Sequence, residues 1–327
     1  RYGSHKDVVS AKSRFLKSDV LYGKLRPYLD KAVLADREGI CSTDILVFRS
    51  HKDVCPLFVL ALIHSKPFLD YAVLTTHGVN HPRTSWTSLK DFQHFIPPLL
   101  QQQRIAAVLW KIQKAVEIED ALARNARDLK KSLLHRLFTH GLCGESQKET
   151  DIGAIPESWE VRPMEELREF LQYGTSAKCD YHGKGNPVIR IPNIMDGKVS
   201  CSDLKWCELS EKEVDSLLLE SGDVLFIRTN GVRERVGTCA VYRGQPERAL
   251  FASYLIRARL KHDELDPDYF QYFTATAVGL SLLGGRASPA ADGKFNVNTK
   301  TIDSIFIPLP TPQEQREIVA ILQTIDR

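Results

Sequence analysis

The sequence predicts an α+β protein in which one design is written twice: two domains with curved β-sheets, each leading into a long helix. Three observations carry that expectation. FIPPLLQQQRIAAVL at 95–109 is nearly restated by FIPLPTPQEQREIVAIL at 306–322. SDVLY at 18–22 is answered by GDVLF at 222–226, an offset of 204. Residues 99–139 contain neither Gly nor Pro, whereas the flanking segments are punctuated by both, so a helix separates two regions of short strands.

Residues 1–97 form the first domain, with SDVLY as a strand and LFVLALIHSKPFLDYAVL as a helical stretch. The opening RYGSHKDVV has no apolar h-region and no Met, so it reads as neither a signal peptide nor the start of a gene. Residues 98–150 hold the central long helix and a linker. Ile105, Leu109, Ile112 and Val116 recur at spacings of three and four, as do Leu122, Ala126, Leu129 and Leu133 after a shift of register. About forty residues at 1.5 Å each make a rod of roughly 60 Å, whose apolar stripe calls for a second long helix alongside. Gly141, Gly144 and the polar SQKETD end it.

Residues 151–310 form the second domain. Its strands are PVIRIPNI, GDVLFIRTNG, GTCAVYRG and ALFASYLIRARL, followed by the helical DPDYFQYFTATAVGLSLL, a Gly-rich basic loop and KTIDSIFIPLP. Residues 311–327 begin a distal long helix that is truncated relative to the first. The repeat extends through LKDFQHFIP and IDSIFIPLP, and through Gln102-x-x-Ile105 and Gln315-x-x-Ile318. At the same offset the counterpart of Trp159 falls before residue 1, so the N-terminal part of the first copy, roughly forty to fifty residues, is expected to be missing.

Composition narrows the function classes. Hydrophobic residues at 43% and charged residues at 26% describe a globular chain, and no run of eighteen apolar residues marks a membrane span. Net charge is only +3: residues 1–98 carry 14 Lys/Arg against 9 Asp/Glu, 99–140 carry 8 against 4, and 141–327 carry 22 against 28. A nucleic-acid binder with this balance must use local basic loops. The seven cysteines are odd in number and contain no C-x-x-C, which favours reduced thiols over a disulfide frame or a zinc site. His77 and His81 with Cys41 or Cys55 lack metal-ligand spacing, so no metal is assigned. There is no phosphate loop, no G-x-G-x-x-G and no G-x-S-x-G elbow. Asn186-Pro187 is followed by Val188, so the Asn-Pro-Pro-Tyr/Phe clamp of an adenine methyltransferase is missing too. No catalytic residue is assigned.

TDIGAIPESWEV opening a domain, GDVLFIRTNG and SDVLYGKLRPYL within domains, ICSTDILVFR, and PPLLQQQRI with PTPQEQREI opening helices together carry a resemblance. The chain resembles the specificity subunit of type I restriction-modification enzymes. Each motif is modest alone; their order and duplication over nearly the whole chain make the likeness specific, with Gln101 standing where the family usually carries Glu. The resemblance implies two target-recognition domains, each reading one half of a split site in double-stranded DNA. The long helices would pair as an antiparallel coiled coil, on which two methyltransferase subunits dock, with restriction/translocase subunits completing the complex. It also implies a cytoplasmic chain that binds no cofactor itself: S-adenosylmethionine, ATP and Mg belong to partner subunits that methylate adenine N6 and translocate and cleave DNA. Two similar readers at the ends of a rod would in any case measure two short sequences at a fixed separation.

Base-edge reading uses Arg or Lys for guanine and Asn or Gln for adenine, presented on loops that enter a groove. In the second domain RTNGVRER offers Arg228, Asn230, Arg233 and Arg235; its plainer reading is a solvated hairpin tip. The matching stretch GKLRP offers Lys24 and Arg26, for phosphate as readily as for base. Two further loops precede the last strand of each copy: THGVNHPRTSW with His77, Asn80, His81 and Arg83, and GGRASPAADGKFN with Arg286, Ser288, Lys294 and Asn296, where glycines let backbone approach phosphate. KGNPVIRIPNI adds Lys184, Arg190 and Asn193, Arg190 being as well suited to a structural ion pair. Helix pairing is assigned to Ile105, Leu109, Ile112, Val116, Leu129 and Leu133, with Trp110 and Arg124 exposed beside them. Two other readings stay open: the recognition portion of a fused methyltransferase-nuclease, and a coiled-coil protein-binding adaptor.

Overall fold

The computed structural model describes residues 11–78, 80–290 and 293–326; the opening RYGSHKDVV lies outside the described residues. The chain divides into two compact units, Arg1–Ala123 and Arg124–Arg327. That division runs through the helix Leu99–His140, not at either of its ends. The fold is α+β, with the long helix between two sheet-bearing regions.

In the first unit the strand Val20–Gly23 is central, paired antiparallel with Ala32–Leu34 on one side and Ile45–Phe48 on the other. In the second, Val224–Ile227 holds the same place between Cys239–Val241 and Leu255–Leu260, inside a six-stranded sheet whose edge strand is Arg168–Tyr173. Each apolar stretch read as one helical segment is two helices. Pro56–Ile63 gives way to Lys66–Leu74, where Pro67 within the first turn has no N–H to donate. Pro267–Thr274 gives way to Ala277–Leu283, where the Thr276 hydroxyl accepts from the Gly279 N–H and caps the second helix. The polar stretch read as linker contains a strand, Gln147–Thr150, paired with Gly153–Pro156.

Two buried polar side chains recur at equivalent places. Asp19 accepts from the Leu16 N–H (2.7 Å) and from Arg49; Asp223 accepts from the Glu220 N–H (2.8 Å) and from Arg259. These carboxylates tie the turn before the central strand to the end of its neighbour. Gln102 Nε2 donates to the Pro97 and Asp53 carbonyls while its Oε1 accepts from the Cys55 N–H. Gln315 does the same with Pro310, Glu264 and the Asp266 N–H. One glutamine per copy thus fastens the start of the long helix to the start of the first short helix, meeting all the backbone groups it faces.

Tyr22, Ile63, Phe68 and Leu89 centre the first unit's core. The second unit's main core includes Trp159, Phe226, Tyr269 and Ile307, together with Leu134, Leu137 and Phe138 from the end of the long helix and Ile318 and Leu322 from the helix Pro312–Ile325. These two helices run antiparallel: Lys130 pairs with Asp326 at 2.5 Å, and Gly141 lies against Glu314. Of the pairing stripe, Leu133 packs on this core, whereas Ile105, Leu109, Ile112, Val116 and Leu129 are 43 to 60% exposed. Among the described residues no single helix is long and apolar enough to cross a membrane.

Candidate nucleic-acid interface

In the second unit the two loops singled out by sequence become one small sheet. Thr229–Asn230 pairs antiparallel with Phe295–Asn296, which pairs with Ser288–Pro289. The Val297 N–H donates to the Arg228 carbonyl at 2.9 Å, and Val236, Ala287 and Val297 are buried beneath. The pairing arises because the central strand runs straight on into RTNGVRER, and the polypeptide returning from the Gly-rich turn closes on it.

Several predicted DNA contacts hold this sheet together. Arg233 donates to the carbonyls of Gly284 (3.2 Å) and Gly285 (2.6 Å) and covers the Phe295 ring. Arg228 donates to the Ser253 carbonyl and lies 4.7 Å from the centre of the Tyr173 ring. Arg286 donates to Ser304. Asn230 Oδ1 accepts from the Val232 N–H (2.9 Å). Arg235, just past this turn, is exposed; its backbone carbonyl accepts from the Thr238 hydroxyl (2.8 Å). It lines an open groove of about 720 Å³ with Arg127, Lys130 and Asp326. Lys294 is exposed just before the strand Phe295–Asn296.

Lys184 stands elsewhere, exposed on a loop between Asp180 and Asn186, where Gly183 and Gly185 adopt positive φ. The same loop presents Tyr181, whose ring has Lys205 at 4.9 Å and Arg190 at 5.9 Å. Arg190 forms an ion pair with Asp203 at 3.0 Å, and Asn193 is buried, bonded to the backbone of Arg190, Ser200 and Ser202. Both are framework residues. Tyr173, Tyr181 and Lys205 were not singled out from sequence: cation and aromatic ring come from distant segments that only folding brings together.

The first unit laces its loops in the same way. The Thr84 N–H donates to the Lys24 carbonyl (3.0 Å), matching Val297 and Arg228, and the Arg26 N–H donates to the Pro82 carbonyl (2.8 Å). His77 and Arg83 exchange backbone hydrogen bonds. Arg83 also donates to Asp44 at 3.1 Å and holds that carboxyl below its ordinary range. Arg26 is exposed, as are His77 and Asn80. Among the described residues no three His, Cys, Asp or Glu side chains converge as a metal set.

The chain is 29% identical over 226 residues to the type I restriction enzyme EcoKI specificity subunit of Escherichia coli K12, covering 68% of this chain and 48% of that protein. It is 25% identical over 254 residues to the type I restriction enzyme MjaVIII specificity subunit of Methanocaldococcus jannaschii, covering 77% of this chain and 59% of that one. The matched region thus spans about half the length of these relatives. In fold it matches the S subunit of a type I restriction-modification system from M. genitalium, with a TM-score of 0.63 and 16% identity over 95% of this chain and 76% of the other. The family described as type I restriction modification DNA specificity domain matches residues 156–327, more than half of the sequence, and the chain belongs to it.

Proposed function

We propose that this chain is the DNA-specificity subunit of a type I restriction-modification complex. It binds a bipartite, asymmetric site in double-stranded DNA and recruits two methyltransferase subunits together with restriction/translocase subunits. On this reading residues 1–97 and 151–310 are the target-recognition domains, 98–150 the central helix and linker, and 311–327 the start of the distal helix. The chain performs no catalysis and holds no cofactor; its partners use S-adenosylmethionine, ATP and Mg, and the complex works in the cytoplasm. Ile105, Leu109, Ile112, Val116, Leu129 and Leu133 form the helix-pairing seam.

The observation that carries this reading is the duplication: each unit brings two basic loops together on an Asp–Arg and Gln framework, and family membership supports it. Within each face the basic residues divide their work. Arg83, Arg228, Arg233 and Arg286 hold the loops in shape, while Lys24, Arg26, His77, Asn80, Lys184, Asn230 and Arg235 meet the nucleic acid. Arg235→Ala and Lys184→Ala are expected to weaken DNA binding and each to lower the slope of log affinity against log salt by about 1, since each removes one phosphate contact. An unchanged slope would remove that residue from the interface.

The decisive experiment co-expresses the chain's gene with a neighbouring methyltransferase gene in a host free of other methylation and maps N6-methyladenine by single-molecule sequencing. A split motif with a fixed gap, lost when this gene is left out, supports the specificity role. A continuous motif favours a fused methyltransferase-nuclease, and no methylation from a soluble complex favours a protein-binding adaptor.

A further inference from the structure

Asp180 and Trp206 exchange both backbone hydrogen bonds, Asp180 N–H to Trp206 O at 3.0 Å and Trp206 N–H to Asp180 O at 2.8 Å. They are therefore a hydrogen-bonded antiparallel pair. The next positions outward, Cys179 and Cys207, then face each other as a non-hydrogen-bonded pair, the closer kind, with Cα atoms about 4.5 Å apart. A disulfide accepts Cα separations of about 4.4 to 6.8 Å. The side chains share one face: Cys207 is buried in the second core cluster and Cys179 packs against it. Both sulfurs sit over the same short stretch of backbone, Cys179 Sγ 3.4 Å from the Ala177 carbonyl and Cys207 Sγ 3.7 Å from the Lys178 carbonyl.

We propose that Cys179 and Cys207 are a reversible thiol–disulfide site that staples the stem of the loop carrying Tyr181 and Lys184 to the strand Lys205–Cys207. The oxidant is a small-molecule disulfide. The Cys179 thiol, the more accessible of the two, loses its proton and attacks one sulfur of that disulfide, forming a mixed disulfide and releasing one small thiolate. Cys207 then loses its proton and attacks the Cys179 sulfur, expelling the second. Two protein thiols become one disulfide as the small disulfide is reduced to two thiols. The order of attack follows from burial, which raises the Cys207 pKa to about 11, with the neighbouring Cys179 adding to the effect. The loop is already held at its other end: a Cβ on Gly185 would lie 2.2 Å from the Cys207 carbonyl oxygen.

The test incubates the chain with oxidised glutathione and maps non-reduced peptides by mass spectrometry. The expected product joins the Cys179 and Cys207 peptides in most molecules, without bound glutathione, and reverts with dithiothreitol. Protection of residues 180–185 from amide exchange rises on oxidation. In Cys179→Ser the cross-link is lost, and with it the rise in protection. Glutathione retained on Cys179 without a cross-link, Cys207 joined instead to Cys201, or no reaction at either residue would overturn the proposal.

Discussion

The two units build the same junction with different degrees of enclosure. In the first, Asp19 faces one arginine, Arg49, whose side chain is 57% exposed. In the second, Asp223 faces Arg259, 18% exposed, and Arg257, only 4% exposed. Arg257 also donates to the Leu218 and Ser216 carbonyls and to Gln172, and its guanidinium lies over the rings of Phe170 and Phe251. Burial pulls its pKa down against the opposing pull of Asp223. The repeat therefore preserves connections while the surroundings differ: a half-exposed ion pair suffices at the edge of a small sheet, and a more enclosed network of donors and rings lies beneath a six-stranded one.

The largest test of that difference is Asp223→Asn, which leaves the enclosed Arg257 guanidinium without its carboxylate and Arg259 with Glu220 alone. It is expected to destabilise the second unit by roughly 3–5 kcal/mol. Asp19→Asn is expected to cost the first unit clearly less, because water already reaches Arg49. Urea unfolding of each variant, followed by the local tryptophans Trp86 and Trp159, measures both; equal losses would break the comparison.

The glutamines test the opposite claim, that the junctions are equivalent. Gln102→Ala and Gln315→Ala each strand one backbone N–H and two carbonyls in a buried place, for an expected loss of about 1–3 kcal/mol each. Losses that differ severalfold would mean that only one glutamine fastens its helix.

A smaller effect is expected at Tyr22, which occupies the place of Phe226. Its hydroxyl has no hydrogen-bond partner among the described residues, and burial raises its pKa to about 12. Tyr22→Phe is therefore expected to stabilise the first unit by about 1 kcal/mol in the same unfolding experiment.

The smallest is a pH effect. The hydrogen bonds from Arg49 hold the Asp19 carboxyl below its ordinary value of 3.8. A depressed carboxylate stabilises the fold above its unfolded-state pKa, and that contribution fades as pH falls through the lower, folded value. The first unit's acid unfolding is thus expected to lose a component below about pH 4 in Asp19→Asn, and an unaltered acid limb would deny the pair a role in stability.

Much of this was legible in the linear chain because a repeat is a one-dimensional signal. SDVL and GDVL, the two proline-to-glutamine helix starts and the Gly- and Pro-free stretch at 99–139 located the central strands, the junctions and the long helix. Composition and the absence of nucleotide or nucleophile motifs turned the reading toward recognition. Local basic loops named the candidate faces.

What each named residue does was not legible. RTNGVRER reads as four interchangeable polar contacts, yet folding turns Arg233 toward two glycine carbonyls some fifty residues away and leaves Arg235 in the open. Asn193 looks like a base reader and is a buried framework group. Arg228 finds Tyr173, and Cys179 comes to lie opposite Cys207, only because strands distant in sequence pair in one register. The sequence by itself determined the period, the elements and the chemistry on offer. Tertiary structure decided which donors are spent on the protein's own carbonyls and which remain for a partner, because a hydrogen bond depends on positions in space that local composition does not encode.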